Sequence, residues 1–473
     1  MEQKYIVAIE IGSSKIKGAV GTFDSSNTLT VLAVEEEKLT GDELGDSVRY
    51  GVIQNVDKVT GSLQRICRKL ESSPKVSPRT ISRVYTSIGG RSLIASTCEV
   101  SRQYPDDIEI TDTYFEQLKR EARESNTSAD KEVIDVVTRE CLINNMSYKT
   151  SPVGLLGRNI KATFNLITCR TPVKRNINRV INERLGFDIN GYIVRPLAEA
   201  NLVLTDEEKR LGCMLVDFGA ETVSAVIYKN GALVYAATLP MGSRNITRDL
   251  MTLNFTEERA EEIKKVAGNA DIQDQSQRHK NPDNLDYTEI NNYVAARAGE
   301  IVSNILEQIN YAELKPADLP GGIVLVGGGA KLKGFSNLLT AQSNMKVRIG
   351  SPSGLIRIAD GSIQPNDAVD VISILADAVK GNPAECMERP AHPRATERDG
   401  EEDENDEGES RIGEDFDDEN DDDESRIGED FGGNQPRGKS RSGFWRSIKD
   451  RAIKLMSEPE VGDDGYTNED EEK

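Results

Sequence analysis

The chain has 473 residues, a formal net charge of −21 and 39 glycines, so it is long enough for two or more domains with separate cores. Its six cysteines form no CxxC pair and its two histidines stand in polar stretches, which excludes histidine-based metal centres and catalytic triads. The N-terminal stretch lacks the pattern of a signal peptide and no apolar run reaches membrane-spanning length, so we expect a cytosolic chain with reduced thiols.

The first stretch whose residues could bind a ligand is residues 6–21, IVAIEIGSSKIKGAVG. An apolar strand carries Glu10 near its end, a tight turn follows at Gly12, Ser13 and Ser14, and Lys15 opens a second strand. Hydroxyls and unpaired backbone N–H groups in such a turn suit phosphate oxygens, and the carboxylate suits an accompanying Mg²⁺ ion through water. An ordinary β-hairpin with a polar turn is the competing interpretation of this stretch alone.

Helical spacing follows in several places. Apolar residues at Val56, Leu63, Ile66 and Leu70 predict one amphipathic helix, and further helices are predicted over 113–125 and 130–137. Later in the chain, residues 257–268, 294–309 and 367–380 have the same spacing.

Residues 213–231, CMLVDFGAETVSAVIYKNG, repeat the plan of the first stretch. Asp217 stands near a strand end, Gly219 and Thr222 lie in the next turn, and Asn230 with Gly231 predicts a tight hairpin. Two such units in one chain are harder to explain as plain hairpins than either unit alone. No Walker-type GxxxxGK[ST] sequence occurs, so the chain is not a P-loop protein.

A third glycine stretch, IVLVGGGAKLKGF, covers residues 323–335. Gly327, Gly328 and Gly329 follow a buried apolar strand, and the absence of a Cβ lets a flat ligand approach the backbone closely. Plain turn chemistry would also explain these glycines. The three stretches together favour a ligand site.

The acidity of the chain is concentrated near its C-terminus, where residues 397–431 contain 20 acidic and 3 basic side chains. Such a composition predicts a disordered linker over 385–441 and a disordered acidic end over 458–473. The linker contains ESRIGEDF twice, at 409–416 and 424–431, which either docks a partner or reflects slippage in low-complexity sequence.

Between these acidic segments, residues 442–457 predict an amphipathic helix. Its apolar stripe includes Phe444, Trp445, Ile448, Leu455 and Met456, and lysines and arginines surround that stripe. This pattern is typical of a helix that lies in an anionic membrane interface, although a helix that docks on the body or on a protein partner would look similar.

The order of these motifs resembles the actin, Hsp70 and sugar kinase superfamily, and more closely the FtsA family of bacterial cell division proteins. The closer resemblance rests on residues 195–219, RPLAEANLVLTDEEKRLGCMLVDFG, on residues 241–250, MGSRNITRDL, and on the triple-glycine stretch followed by VRIGSP. It covers roughly the first 385 residues and, separately, the helix near the C-terminus.

The resemblance implies an α/β fold with two actin-like lobes, a duplicated ribonuclease H-like core and an FtsA-type extra subdomain. It implies a site for ATP and Mg²⁺ between the lobes, with the metal held through water by Glu10 and Asp217. The residues expected at the nucleotide are Gly12, Ser13, Ser14, Lys15, Gly219, Thr222, Gly242, Glu262, Lys265, Gly327, Gly328, Gly329 and Lys331. A solvated charged helix face would explain Glu262 and Lys265 equally well.

It also implies a domain order. The first-lobe core is expected at 1–83 and 166–194, the extra subdomain at 84–165, the second-lobe core at 195–240 and 313–365, its outer subdomain at 241–312, and a closing first-lobe helix at 366–384.

The implied function is to polymerise on the cytoplasmic face of the bacterial inner membrane and anchor filaments of the tubulin-like FtsZ at the division site. Arg297 matches the arginine that receives FtsZ in this family, and the other expected partners are divisome proteins and anionic lipids, with no nucleic acid. Relatives such as MreB have an acidic residue at the position of Arg195, and Glu221 adds a negative charge to the second phosphate turn, so we expect a slow ATPase at most. A PilM-like pilus-assembly ATPase and a sugar or acyl-phosphate kinase are the alternatives.

Overall fold

The computed structural model describes residues 4–24, 28–39, 47–125, 128–149, 151–271, 285–352, 356–380 and 383–389. The predicted helix over 442–457, the acidic end over 458–473, the ESRIGEDF repeats and most of the linker lie outside these residues. Among the described helices, none has both the length and the apolar character needed to cross a membrane.

The first lobe is built on a six-stranded sheet, whose strands lie side by side in the order Asp188–Val194, Arg83–Ile88, Lys4–Ile11, Lys15–Phe23, Leu29–Lys38 and Ile356–Ile358. Its first elements are β1 (Lys4–Ile11), β2 (Lys15–Phe23), β3 (Leu29–Lys38), β4 (Val48–Arg49), β5 (Val52–Ile53), α1 (Val56–Ser72), β6 (Thr80–Ile81) and β7 (Arg83–Ile88). The predicted helix is confirmed as α1, which buries Leu63, Ile66 and Leu70. It packs closely on β2, because a Cβ added at Gly18 would lie 2.7 Å from the Ile66 side chain.

The next segment forms the extra subdomain, with β8 (Ile94–Glu109), α2 (Asp112–Glu124), β9 (Lys131–Ile143), β10 (Met146–Tyr148) and β11 (Leu156–Arg170). It has its own core, in which the rings of Phe115 and Phe164 lie 5.9 Å apart. The helix predicted over 113–125 is confirmed as α2. The helix predicted over 130–137 is wrong, because its β-branched residues extend along β11 as strand β9.

The chain then returns to the first lobe through α3 (Thr171–Asn178), a π-helix over Arg179–Arg184 and β12 (Asp188–Val194). Helices α4 (Arg195–Val203) and α5 (Asp206–Leu211) lead into the second lobe. That lobe contains β13 (Cys213–Phe218), β14 (Val223–Lys229), β15 (Ala232–Leu239), α6 (Ser243–Met251), α7 (Glu257–Val266), α8 (Tyr287–Tyr311), β16 (Ile323–Val326), α9 (Phe335–Ser343) and β17 (Val347–Ile349). Asn230 and Gly231 both adopt positive φ, so the predicted hairpin is confirmed.

The second-lobe strands and the extra subdomain share one nine-stranded sheet with the order β10-β9-β11-β8-β15-β14-β13-β16-β17. The junction is narrow, because β8 pairs with β15 only through Ile94 and Ala237. The Asn165 side-chain amide adds a buried hydrogen bond of 2.7 Å to the Leu233 carbonyl. The extra subdomain therefore contacts the second lobe as well as the first.

The last described elements are β18 (Ile356–Ile358), α10 (Val369–Lys380) and β19 (Met387–Glu388). Three predicted boundaries need correction. Strand β7 pairs in parallel with β1 and β12, so residues 84–88 belong to the first-lobe sheet and not to the extra subdomain. Strand β18 pairs in parallel with β3, so residues 356–358 belong to the first-lobe sheet and not to the second-lobe core. The chain also remains packed beyond residue 385, because Cys386 and Met387 are buried and β19 pairs with β6.

Candidate functional site

The turn between β1 and β2 forms the first part of the site. The Gly12 N–H donates to the Lys15 carbonyl at 3.0 Å, which closes the turn around Ser13 and Ser14. A Cβ at Gly12 would lie 2.9 Å from the Lys15 carbonyl oxygen and 3.2 Å from the Glu10 carboxylate, so the turn requires glycine there. The Lys15 ammonium donates to Glu36 at 2.7 Å, and this ion pair is partly exposed to solvent.

The turn between β13 and β14 has the same hydrogen-bond pattern. The Gly219 N–H donates to the Thr222 carbonyl at 2.9 Å, just as Gly12 bonds to the carbonyl three residues further on. Gly242 at the start of α6 supports this turn, because a Cβ there would lie 2.4 Å from the Ala220 carbonyl. The two predicted turns are thus structural duplicates, one in each lobe.

The three glycines after β16 have different surroundings. Gly327 adopts φ 89°, and a Cβ there would lie 2.5 Å from Asp217 Oδ1. A Cβ at Gly329 would lie 2.6 Å from the Phe218 ring, whereas a Cβ at Gly328 would meet nothing within 4 Å. Gly327 and Gly329 therefore allow close packing against β13, and Gly328 faces open space.

Glu221 connects the two lobes beside these turns. Its side chain is fully buried and accepts hydrogen bonds from the Tyr50 N–H at 2.7 Å, from Arg248 at 2.8 Å and from Arg244 at 3.2 Å. Arg244 also donates to the Ser13 carbonyl at 3.2 Å, in the first phosphate turn. The negative charge that the sequence places in the second turn is thus paired with two arginines.

The strand-end carboxylates converge on Arg195, the first residue of α4. Its Nη1 atom donates to Glu10 at 2.9 Å, and its Nη2 atom lies 2.8 Å from Asp217. Glu199, one helical turn away, approaches Nε at 3.8 Å. The sequence pattern placed Glu10 and Asp217 near the ends of two strands but did not identify Arg195 as their shared partner. The metal contact expected of these two carboxylates stays a prediction.

Burial controls the protonation of this group. It raises the pKa of Glu10 to about 7, although Arg195 acts in the opposite direction. Burial also raises the pKa of Glu199 and of Asp217. The neighbouring Asp217 charge raises the pKa of Glu199 further, and the Asp370 charge does the same for Asp217. Nearby Lys17 pairs with Asp370 at 2.8 Å, so four acidic groups surround two cations.

A cavity of about 30 Å³ lies between the two turns. Its lining includes Glu10, Ser13, Thr222 and Arg195, together with the glycines at positions 12, 51, 89 and 90. Sequence reasoning missed the last three glycines. The GG pair directly after β7 was the available signal, since such a pair permits close approach of the backbone.

Four predicted residues are held by local ion pairs. Glu262 pairs with Arg259 at 2.7 Å and Lys265 pairs with Glu261 at 2.9 Å, both on the exposed face of α7, while Lys331 pairs with Asp367. Arg297 is bound by Asp249 at 2.9 Å and by Glu300. Within the described residues, no group of three or more histidine, cysteine or acidic side chains is arranged to hold a metal ion.

Comparison with known proteins identifies the family. Residues 214–370 match the family model described as cell division protein FtsA, and residues 90–168 match the SHS2 domain inserted in FtsA. The cell division protein FtsA of Porphyromonas gingivalis is 31% identical over 343 residues, which cover 69% of this chain and 68% of that protein. This chain belongs to the FtsA family of cell division proteins.

A second FtsA, from Pseudomonas aeruginosa, is 28% identical over 373 residues, which cover 76% of this chain and 85% of that protein. Among solved structures, the PilM–PilN type IV pilus biogenesis complex aligns with a TM-score of 0.55 at 17% identity and covers 80% of this chain and 99% of that one. The predicted actin-like fold is confirmed. At this identity the pilus protein is a relative in fold, and the FtsA matches make the PilM-like and kinase alternatives unnecessary.

Proposed function

We propose that this FtsA family member binds ATP between its lobes, polymerises on the cytoplasmic face of the bacterial inner membrane and anchors FtsZ filaments there during septum assembly. The observation that carries the nucleotide part is the pair of turns with the same hydrogen-bond pattern, Gly12–Lys15 and Gly219–Thr222, since Gly12 and Ser13 of the first turn and Thr222 of the second line one cavity. Open space beside Gly328, at the adjacent strand end, supports a place for the adenosine.

The present cavity is too small for a triphosphate, because about 30 Å³ holds no more than a few water molecules. Nucleotide entry would therefore require the lobes to separate and break the contacts of Glu221 with Tyr50 and of Arg244 with Ser13. ATP would then replace these direct contacts with contacts of its own to both turns. In this proposal the nucleotide sets lobe closure, and lobe closure sets polymerisation.

The magnesium ion expected at Glu10 and Asp217 does not fit these residues as they are arranged. Both carboxylates already engage the Arg195 guanidinium, which lies where a cation between them would lie. We therefore assign no step to a metal held by these two side chains. Since Arg195 replaces the acidic residue that helps orient water in MreB-like relatives, hydrolysis is expected to be slow, and a turnover above about 1 s⁻¹ would contradict this.

For FtsZ we propose contact at Arg297 on α8. Its side chain is 21% exposed and already pairs with Asp249 and Glu300, so an acidic peptide would have to compete with these carboxylates. Arg297→Gln should weaken binding of an acidic FtsZ C-terminal peptide by tenfold or more. Arg259→Gln, on exposed helix α7, is the matched control and should bind as the parent does. Equal binding by both variants would remove Arg297 from the interface.

For the membrane we propose the helix over 442–457. One such helix would attach reversibly, and a filament that presents many helices would bind much more tightly through effective concentration. The test is co-sedimentation of the full chain with anionic vesicles, with and without ATP. Binding should rise with ATP and should be lost when Phe444 and Trp445 are both changed to alanine. A double variant that sediments like the parent, or a parent that prefers neutral vesicles, would contradict this part of the proposal.

A further inference from the structure

Arg195 lies between two buried carboxylates at the proposed phosphate site. Glu10 and Asp217 come from equivalent positions in the two lobes, and each is about 3% exposed. A single guanidinium joins them, with Arg195 Nη1 at 2.9 Å from Glu10 and Nη2 at 2.8 Å from Asp217. Glu10 and Asp217 are also the pair that a water-linked magnesium ion would need.

Arg195 reaches the cavity between the phosphate turns. It is among the lining residues together with Ser13 and Thr222. A Cβ added at Gly89, also in the lining, would lie 3.6 Å from both Nε and Nη2 of Arg195. The positive charge therefore lies at the cavity wall, where phosphate oxygens would be placed.

The cluster around Arg195 also contains buried polar atoms that lack a hydrogen-bond partner. In the described part of the chain, Arg195 Nε and Glu199 Oε2 are buried atoms without an aligned hydrogen-bond partner. Asp217 Oδ2 is held by its 2.8 Å ion pair with Arg195 Nη2, which lacks hydrogen-bond alignment. Buried polar groups are normally satisfied, so a buried guanidinium N–H without an acceptor is a position where an added anion would be stabilised. Arginine suits this task because it stays charged and can contact several oxygens at once.

We propose that Arg195 is the fixed cation of the nucleotide site and takes the place of a magnesium ion between Glu10 and Asp217. A nucleoside triphosphate then binds with its phosphate oxygens against the Arg195 guanidinium, without a divalent metal at these carboxylates. This inference rests on the proposed ATP site and specifies how that site handles charge.

A divalent ion in the same position would face two obstacles. It would have to displace the guanidinium from both carboxylates, or else remain within a few ångströms of another positive charge. Displacement would leave a buried arginine without its partners. ATP without bound magnesium meets neither obstacle, because its phosphates would lie on the cavity side of Arg195.

The experiment measures the affinity of the full chain for ATP by calorimetry, once with magnesium and once with EDTA. The parent should bind with affinities that agree within about threefold in the two buffers. The affinity of Arg195→Gln for ATP in EDTA should be at least about tenfold lower than that of the parent, and part of this loss should be recovered when magnesium is added. Arg195→Lys should fall between them, because it keeps the charge but not the bidentate geometry.

Two further variants keep the result interpretable. Arg348→Gln removes another arginine that pairs with a carboxylate, at 2.7 Å from Glu208 and distant in the chain from the phosphate turns, and should behave as the parent. The double variant Arg195→Gln, Glu199→Gln removes one buried acid together with the buried arginine. It therefore tests the role of the Arg195 charge if the single variant does not fold.

Two results would overturn the inference: a parent that loses about a hundredfold in affinity in EDTA, or Arg195→Gln that binds ATP in EDTA as the parent does. If the parent binds no ATP in either buffer, the proposed nucleotide site itself is wrong.

Discussion

The three glycines after β16 have different roles, since two are needed for packing and the third borders the proposed binding site. Gly327 and Gly329 are required by the fold, because side chains there would collide with Asp217 and the Phe218 ring. Gly328 is not required by packing, since a Cβ there would meet no atom within 4 Å. Because Gly328 tolerates a side chain sterically and borders the proposed adenosine site, a substitution there should change ATP binding without changing folding.

Replacing Gly328 with valine should therefore reduce ATP affinity by tenfold or more while the thermal unfolding midpoint changes by no more than a few degrees. Calorimetric titration with ATP and a thermal melt measure the two quantities. Gly329→Val is the contrasting variant and should lower the unfolding midpoint, because its side chain would overlap the Phe218 ring. Unchanged ATP affinity in Gly328→Val would refute the adenosine assignment.

The buried acids around Arg195 predict a pH dependence. Burial raises the pKa of Glu10 from 4.5 to about 7, so between these values the folded state keeps a proton that the unfolded state releases. The free energy of unfolding should therefore fall as the pH rises through this window, by up to about 3 kcal/mol from this group. Urea denaturation of the ATP-free chain at about pH 5 and about pH 7.5 measures it.

In Glu10→Gln this decrease should be smaller than in the parent, because the amide does not titrate. Glu262→Gln removes an exposed carboxylate on α7 and should leave the pH dependence of the parent unchanged. If Glu10→Gln and the parent show the same slope, Glu10 does not hold a proton in the folded state.

At the residue scale, the sequence predicted the local features of the site and missed its long-range partners. The turns at Gly12 and Gly219 could be found in the sequence because a strand followed by a glycine turn is a local pattern. The nucleotide and metal roles expected of these turns and of Glu10 and Asp217 stay predictions. The bond between Arg195 and Glu10 joins residues 185 positions apart, and that between Glu221 and Tyr50 spans 171 positions. Such pairs depend on how the lobes meet, which no local pattern contains.

At the scale of elements, the spacing of apolar residues predicted secondary structure correctly where one face of a helix is buried. It gave the wrong element where strand and helix patterns overlap. Helix α1 was predicted from four apolar residues, of which Leu63, Ile66 and Leu70 are buried and Val56 is partly buried. The segment over 130–137 was predicted as a helix, yet its valines and isoleucine form β9 because β11 offers a long strand to pair with. Tertiary pairing decides such short β-branched segments.

Strand β19 provides a prediction at this scale. It pairs with β6 through Met387 and Ile81, and Met387 is 1% exposed, so this short segment closes the first lobe after α10. Met387→Asp should lower the free energy of unfolding by about 2–4 kcal/mol, because it buries an unpaired carboxylate. Glu388→Gln, at the exposed neighbouring position, should change it by less than about 0.5 kcal/mol. Equal stability of the two variants, measured in urea, would show that the segment is dispensable.

At the scale of the molecule, direct contacts between the lobes surround the phosphate turns. Arg195 bridges Glu10 and Asp217, while Glu221 accepts from the Tyr50 N–H. A cavity of about 30 Å³ lies beside these contacts. In the proposed site a nucleotide replaces these contacts with its own, which would couple binding to the arrangement of the lobes.

The central claim is that three separate segments form one ATP site across the two lobes. Hydrogen exchange of the full chain, followed by mass spectrometry with and without ATP, tests it most directly. We predict that ATP slows exchange together in residues 11–16, 218–223 and 326–331, with a change around residues 50–51 as the Glu221 contact is rearranged. Gly328→Val should show none of these changes at the same ATP concentration. Protection by ATP confined to one lobe, or absent from all three segments, would contradict the account.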